Sequence, residues 1–291
     1  MGYEVVPLQK VVGDARFSAV FKVNGKPMRF LIDSGANSTD VDQNLAASVG
    51  LRPDGEVEVI TRGALGREMK SARGAGSLEI GSMIALEFPF TLAPSHGRPT
   101  STSSYAGQVG LDALSATGAL IDIPAAQMWV PGPRSERGRS PIPTILGPRP
   151  GLGNQILPLG RAGRLPHLIL RGSLNGQLVT WVVDTGAEVS VMAAASFDRF
   201  NLPSRATNSR MIDASGDRIA LRHARLRNLR FGGVNISVFD VSIAPLGTVR
   251  QHFRDSTGRP VDGILGMDFL TSGAALLDSG SGLIYMGPPG R

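Results

Sequence analysis

Cysteine is absent from the 291-residue chain, which removes disulfides, thiol nucleophiles and thiolate metal sites together. Aromatic residues are scarce at 5%, so basic patches interleaved with stacking rings, the usual nucleic-acid footprint, have little material here. Lysine occurs only at Lys10, Lys22, Lys26 and Lys70, and the formal charge of +6 comes mainly from arginines scattered along the chain and densest in a Pro/Gly-rich connector. No nucleic-acid partner is expected. No apolar run approaches the roughly 18 residues that a bilayer-spanning helix needs, so no membrane span is expected either. The opening "MGYEVVPLQK" lacks the basic region, apolar core and small-residue cleavage site of a secretory signal, which leaves either a chain without such a signal or a mature one.

Several chemistries lack their residues too. His96, His167, His223 and His252 stand singly, without His-Glu-x-x-His spacing, so they read as surface or locally bonded histidines and no metal is expected. Glycine is abundant at 37 residues, yet no phosphate loop, dinucleotide fingerprint or Gly-x-Ser-x-Gly elbow occurs. No cofactor is expected.

What the chain does contain is one pattern written twice. Asn24-Gly25 and Asp33-Ser34-Gly35-Ala36 recur as Asn175-Gly176 and Asp184-Thr185-Gly186-Ala187, a shift of 151 (184 − 33), and Leu51, Gly81 and Ala93-Pro94 recur in the same register. Further on the shift is 156 (268 − 112), placing Gly110-Leu111-Asp112 on Gly266-Met267-Asp268. The difference falls between Pro245 and Gly263, as expected of an insertion in a surface loop. The spacing predicts an N-terminal half over 1–130, a Pro/Gly/Arg-rich linker over 131–155 and a C-terminal half over 156–291. Within each copy the pattern is β: "FSAVFKVNGKPMRFLID" and "LILRGSLNGQLVTWVVD" are strand pairs about an Asn-Gly turn. Helical signals are confined to "QNLAASVGL", "AAASFDRF" and the residues after each Gly-Leu/Met-Asp.

An ionised carboxylate at the end of an apolar strand is costly unless paired or well hydrogen-bonded, and two such carboxylates suggest pairing. Brought together about a pseudo-two-fold axis, Asp33 and Asp184 cannot both ionise and would share a proton, leaving one as base and one as acid. Ser34 and Thr185 can brace the loops across the axis, while Gly35 and Gly186 permit close approach. Asp278-Ser279-Gly280, in "LLDSGSGLIYM", lacks the following Ala and polar residue and reads as a hairpin turn.

These segments resemble the retropepsin family of aspartic proteases, in an arrangement like two retropepsin-type halves on one chain. "VVDTGAEVSVM" and "ILGMDFL" meet both parts of the family pattern; "LIDSGANSTDV" and "QVGLDAL" depart from it at Asn37 and Gln108. The resemblance implies an all-β fold of duplicated acid-protease β-barrel halves with short helices. It implies an aspartic endopeptidase with Asp33 and Asp184 catalytic, no cofactor, and a polypeptide substrate held extended under a hairpin flap from each half. Ala36, Asn37, Ala187, Glu188, Gly66 and Gly216 are the corresponding substrate-binding candidates. A monomer with an intramolecular pseudo-dimer is expected, with a homodimer as the alternative arrangement and a turnover-deficient peptide-binding module as the alternative function. Likeness to exported bacterial members, with the absence of cysteine, points to a periplasmic or otherwise exported location over a cytoplasmic one. Because Ala36 and Ala187 offer no hydroxyl to lower a carboxylate pKa, a pH optimum of about 5 to 7 is expected.

Overall fold

The computed structural model describes residues 2–55, 58–94, 105–132, 142, 145, 155–162, 165–213 and 215–287. Most of residues 131–155, the expected linker, lie outside the described residues. Two positions within it, Ile142 and Ile145, are buried against Leu120, Leu276 and Tyr285.

Asn-Gly punctuation sets the first hairpin of each copy. Asn24 and Gly25 take φ of 49° and 75°, and Asn175 and Gly176 take 49° and 80°, the left-handed pair that a tight turn between right-twisted strands requires. Strand Phe17–Val23 alternates its burial and pairs antiparallel with Lys26–Ile32; Leu165–Leu174 pairs likewise with Gln177–Val183. Each returning strand then lies parallel to a short strand from the downstream motif, Ile32 opposite Val109 and Val183 opposite Leu265.

Two eight-stranded sheets result, and they have the same order. The first runs Gln9–Lys10, Phe17–Val23, Lys26–Ile32, Gly107–Val109, Asp40–Asp42, Met83–Ala93, Glu68–Ile80, Glu58–Arg62. The second repeats it from Gly160–Ala162 to Ser204–Ile212. A six-stranded sheet takes three strands from each copy, and its central pair is Leu120–Asp122 against Leu276–Asp278. There Ile121 sits opposite Leu277, its own repeat mate at the shift of 156 (277 − 121), so the pseudo-two-fold axis passes through this pair. The Asp278-Ser279-Gly280 tripeptide is the turn joining Leu276–Asp278 to Leu283–Met286, and the Ser279 hydroxyl donates to the Leu114 and Ala119 carbonyls of the first copy.

The core is continuous across the copies, running from Phe21, Phe30 and Leu114 to Trp181, Phe231 and Phe269. One helix departs from the sequence expectation. Gly247–Thr257 forms an eleven-residue helix inside the segment read as a loop insertion. Phe253 is its buried side chain, with Val249 packed nearby, and the rest of the segment is mostly polar, so no apolar run marks it. Gly258, at φ 74°, ends it by returning its N–H to Arg254 O at 2.8 Å.

Candidate active site

Both Asp-Ser/Thr-Gly segments leave a buried strand and meet at the axis. Each strand end is fixed by its parallel neighbour: Asp33 N–H donates to Val109 O at 3.1 Å and Asp184 N–H to Leu265 O at 2.9 Å. The adjacent hydroxyls interlock across the halves. Ser34 Oγ accepts from Thr185 N at 3.0 Å and donates to Val183 O at 2.9 Å. Thr185 Oγ1 accepts from Ser34 N at 3.0 Å and donates to Ile32 O at 2.8 Å. Both side chains are wholly buried, so these bonds form where water cannot replace them.

The glycines bring the carboxylates together. Gly35 N–H donates to Asp33 Oδ1 at 2.9 Å, with Ala36 N–H on the same oxygen at 3.0 Å, and Gly186 N–H donates to Asp184 Oδ1 at 2.7 Å. A β-carbon on Gly35 would run into the Asp184 carboxylate, and one on Gly186 into that of Asp33. Each carboxylate thus lies against the glycine of the other loop, which sets the two carboxyl groups face to face across the halves. Burial, then the charge of Asp184, pushes Asp33 well above the usual carboxylate range. Burial also raises Asp184, opposed by the Gly186 N–H, the Asp33 carboxyl beside it and the charge of Arg16. The pair therefore holds one shared proton over a range in which isolated carboxylates are ionised.

The remaining sequence-selected residues divide into two groups. Ala36, Asn37, Ala187 and Glu188 offer backbone carbonyls that receive the N–H groups of Leu111, Asp112, Met267 and Asp268, at 2.9, 3.3, 2.9 and 3.3 Å. They thus tie each Asp-Ser/Thr-Gly loop to the helix after the downstream glycine. Burial raises the Glu188 carboxyl, with Asp14 adding to this and Arg16 opposing it. Gly66 and Gly216 lie at the tips of two long hairpins that touch each other through Leu65 N–H and Asp213 Oδ2 at 2.8 Å.

Sequence reasoning missed three supporting pairs. Asp112 accepts from Thr39 N and Oγ1 at 2.9 and 2.7 Å, and Asp268 from Ser190 N and Oγ at 2.9 and 2.6 Å. The recurrence of Asp after Gly-Leu/Met was the available signal. Arg16 and His167 are the second pair, at the same shift of 151 (167 − 16). Arg16 Nη1 donates to Gly186 O at 3.2 Å, and His167 Nε2 lies 3.1 Å from Gly35 O. Each half therefore holds the other's Asp-Ser/Thr-Gly glycine by its carbonyl. Arg16 is itself held by Asp14, whose Oδ2 accepts from Nε at 2.7 Å. His167 is instead buried against Phe253, and burial, with His252 nearby, lowers its pKa to about 4. It is neutral at ordinary pH, so the Nε2–H tautomer donates to Gly35. The third pair is Gly63 and Asp213, which meet at the hairpin tips.

Among the described residues no cluster of His, Asp and Glu is arranged to hold a metal ion, and no helix is long and apolar enough to cross a membrane. No curated protein matches the sequence. The fold is shared with an aspartic proteinase from Irpex lacteus, 12% identical with a TM-score of 0.55, covering 99% of this chain and 97% of that one. It is shared also with Basic 7S globulin from soybean, 11% identical with a TM-score of 0.53, covering 99% and 95%. The aspartyl protease family model matches residues 19–113 and 170–269, one stretch in each copy and more than half of the chain. The chain belongs to the aspartyl protease family, with two retropepsin-like halves in one polypeptide.

Proposed function

We propose that the protein is an aspartic endopeptidase in which Asp33 and Asp184 act on a water molecule between them. The observation that carries this reading is the pair of carboxyl groups brought face to face across the halves, each against the other loop's glycine and each receiving a glycine N–H from its own loop. In the reaction the ionised carboxylate of the pair takes a proton from water as the water oxygen attacks the peptide carbonyl carbon. The protonated partner gives its proton to the carbonyl oxygen, and a tetrahedral diol forms. Collapse of the diol breaks the C–N bond while a proton passes to the leaving nitrogen, which leaves one carboxylic acid and one amine and the pair again with a single proton. The substrate is an extended polypeptide, covered by the two hairpins whose tips carry Gly66 and Gly216.

Cleavage of a diverse peptide pool across pH, read by sequencing the new termini, tests this with wild type, Asp33→Asn and Asp184→Asn. Cleavage by wild type alone supports the dyad. Loss with only one substitution would defeat the shared site, and no cleavage at any pH would favour a peptide-binding module on the same fold. Because burial raises both carboxyl groups, the rate is expected to peak at about pH 5 to 7, where one proton remains on the pair; a peak near pH 3, where both groups are protonated, contradicts it.

A further inference from the structure

The two hairpin tips copy each other's backbone and differ where they touch. In the first, Gly63 N–H donates to Arg67 O at 3.1 Å and Gly66 N–H to Gly63 O at 2.9 Å. In the second, Asp213 N–H donates to Asp217 O at 3.1 Å and Gly216 N–H to Asp213 O at 2.9 Å. Gly66 and Gly216 both have positive φ, 102° and 83°. Structurally, then, Gly63 matches Asp213 and Arg67 matches Asp217, at a shift of 150 (213 − 63).

These matched positions are complementary. The buried Asp213 carboxylate accepts Leu65 N–H at 2.8 Å, and a β-carbon on Gly63 would collide with the same carboxylate. Arg67 Nη1 reaches Asp217 Oδ1 at 3.3 Å. Asp213 is oriented by its own turn, accepting from Ser215 N at 2.9 Å, Ser215 Oγ at 2.5 Å and Asp217 N at 3.1 Å. Its free capacity is therefore aimed before Leu65 arrives. Over the turns 63–67 and 213–217 neither tip supplies this contact to a copy of itself: the first turn holds no carboxylate for Leu65 N–H, and two second turns would bring the buried Asp213 carboxylates together.

We infer that the tips form a heterologous latch within one chain, in which the Asp213 carboxylate of the second hairpin locks the Leu65 amide of the first and gates entry to the cleft. The pairing commits each half to an unlike half, as the same polypeptide supplies, and not to its own equivalent on a second copy. What the latch gates rests on the peptidase reading, whereas the latch itself rests on the tip contacts alone.

A chain without cysteine permits a clean measurement. Ile60→Cys and Arg210→Cys place one nitroxide on each hairpin at matched exposed positions, and pulsed EPR reads their separation without substrate. A single short distance is expected, unchanged on dilution with unlabelled chain; its disappearance on dilution would mean pairing between chains and overturn the inference. Asp213→Ala should raise the open-to-closed ratio about tenfold or more, as loss of a hydrogen bond to a charged acceptor implies. Gly63→Ala, which leaves the Asp213 turn intact, should do the same, and Asp213→Asn, which must set its NH2 donor against either Leu65 N–H or the donors of its own turn, should also open the tips. An unchanged distance in both Asp213→Ala and Gly63→Ala overturns the latch. Peptide cleavage by a protein whose tips do not respond sinks the latch alone; responding tips in a protein that cleaves nothing support the latch and sink the peptidase reading.

Discussion

Ser34 and Thr185 exchange hydrogen bonds that superpose under the repeat, whereas Arg16 and His167, each 17 residues ahead of its aspartate (33 − 16, 184 − 167), reach matching glycine carbonyls with different chemistry. The first pair works by shape: a hydroxyl must both accept and donate within fixed backbone, and only Ser or Thr can do so there. The second supplies only a donor, which a guanidinium or a neutral imidazole provides equally well. At the tips the divergence goes further, because contact between Gly63 and Asp213 requires that the halves be unlike. Symmetry is thus kept where two halves must make one site and lost where one half must fit the other.

The largest effect expected is on the dyad itself. Asp33→Asn and Asp184→Asn should each lower kcat/KM by about 10²–10⁴-fold, the usual worth of a general acid or base. Stability should move the other way. Both folded carboxyl groups are raised above their unfolded values, so their contribution is present below the ordinary carboxylate pKa and is lost as pH rises through the raised value. At pH 7 ionisation opposes folding, and either Asn variant should melt at a higher temperature than wild type, the gap closing toward pH 4. Calorimetry at the two pH values checks the sign.

Next come the interlocked hydroxyls. Ser34→Ala strands Thr185 N–H and Val183 C=O, and Thr185→Ala strands Ser34 N–H and Ile32 C=O. Each should cost about 2–4 kcal/mol in urea unfolding, the penalty for buried groups left without partners. The Ser34→Thr and Thr185→Ser exchanges keep every bond and should change stability by under ~1 kcal/mol if the two positions are equivalent. A large penalty for one exchange would show that the methyl group breaks the symmetry of the interlock.

The doubled tripeptides, the Asn-Gly turns and the paired Gly-Leu/Met-Asp motifs were legible in the sequence because each is a local requirement repeated at constant spacing. The all-β character followed from the same alternation that Phe17–Val23 displays. Arg16, His167 and Asp213 were not legible. Their partners lie 170, 132 and 148 residues away, and no local pattern marks a side chain whose purpose is to reach the other half. The helix Gly247–Thr257 was missed for a different reason, its polar composition around a single buried Phe253.

His167 sharpens the comparison through pH. Its folded value of about 4 lies below the ordinary 6.5, so its neutral form stabilises the fold fully above pH 6.5 and that contribution is lost as pH falls toward 4. The groups facing it are His252, Phe253 and the Gly35 carbonyl; none offers a carboxylate to accept a charged ring. Wild type should therefore lose up to about 3 kcal/mol more than His167→Gln across this window, while Gln retains an N–H for Gly35. Urea titrations at pH 7, 5.5 and 4 give the difference. Arg16→Gln removes a permanent cation and should show no such window; parallel pH curves for wild type and His167→Gln would mean that the imidazole charges without penalty.

The smallest effect expected is at Arg67. Its pairing with Asp217 joins side chains that are 53% and 39% exposed, and water already solvates both charges, so Arg67→Ala should change global stability by under ~1 kcal/mol. The Asp213 carboxylate a few residues away is buried and accepts four donors, so its loss leaves several groups unsatisfied together. The contrast decides which difference between the halves holds the tips. If Arg67→Ala opens them as far as Asp213→Ala does, the exposed ion pair is the fastening. If Arg67→Ala leaves the closed distance in place and removes only its dependence on salt, the arginine guides the tips toward each other and the buried carboxylate keeps them there.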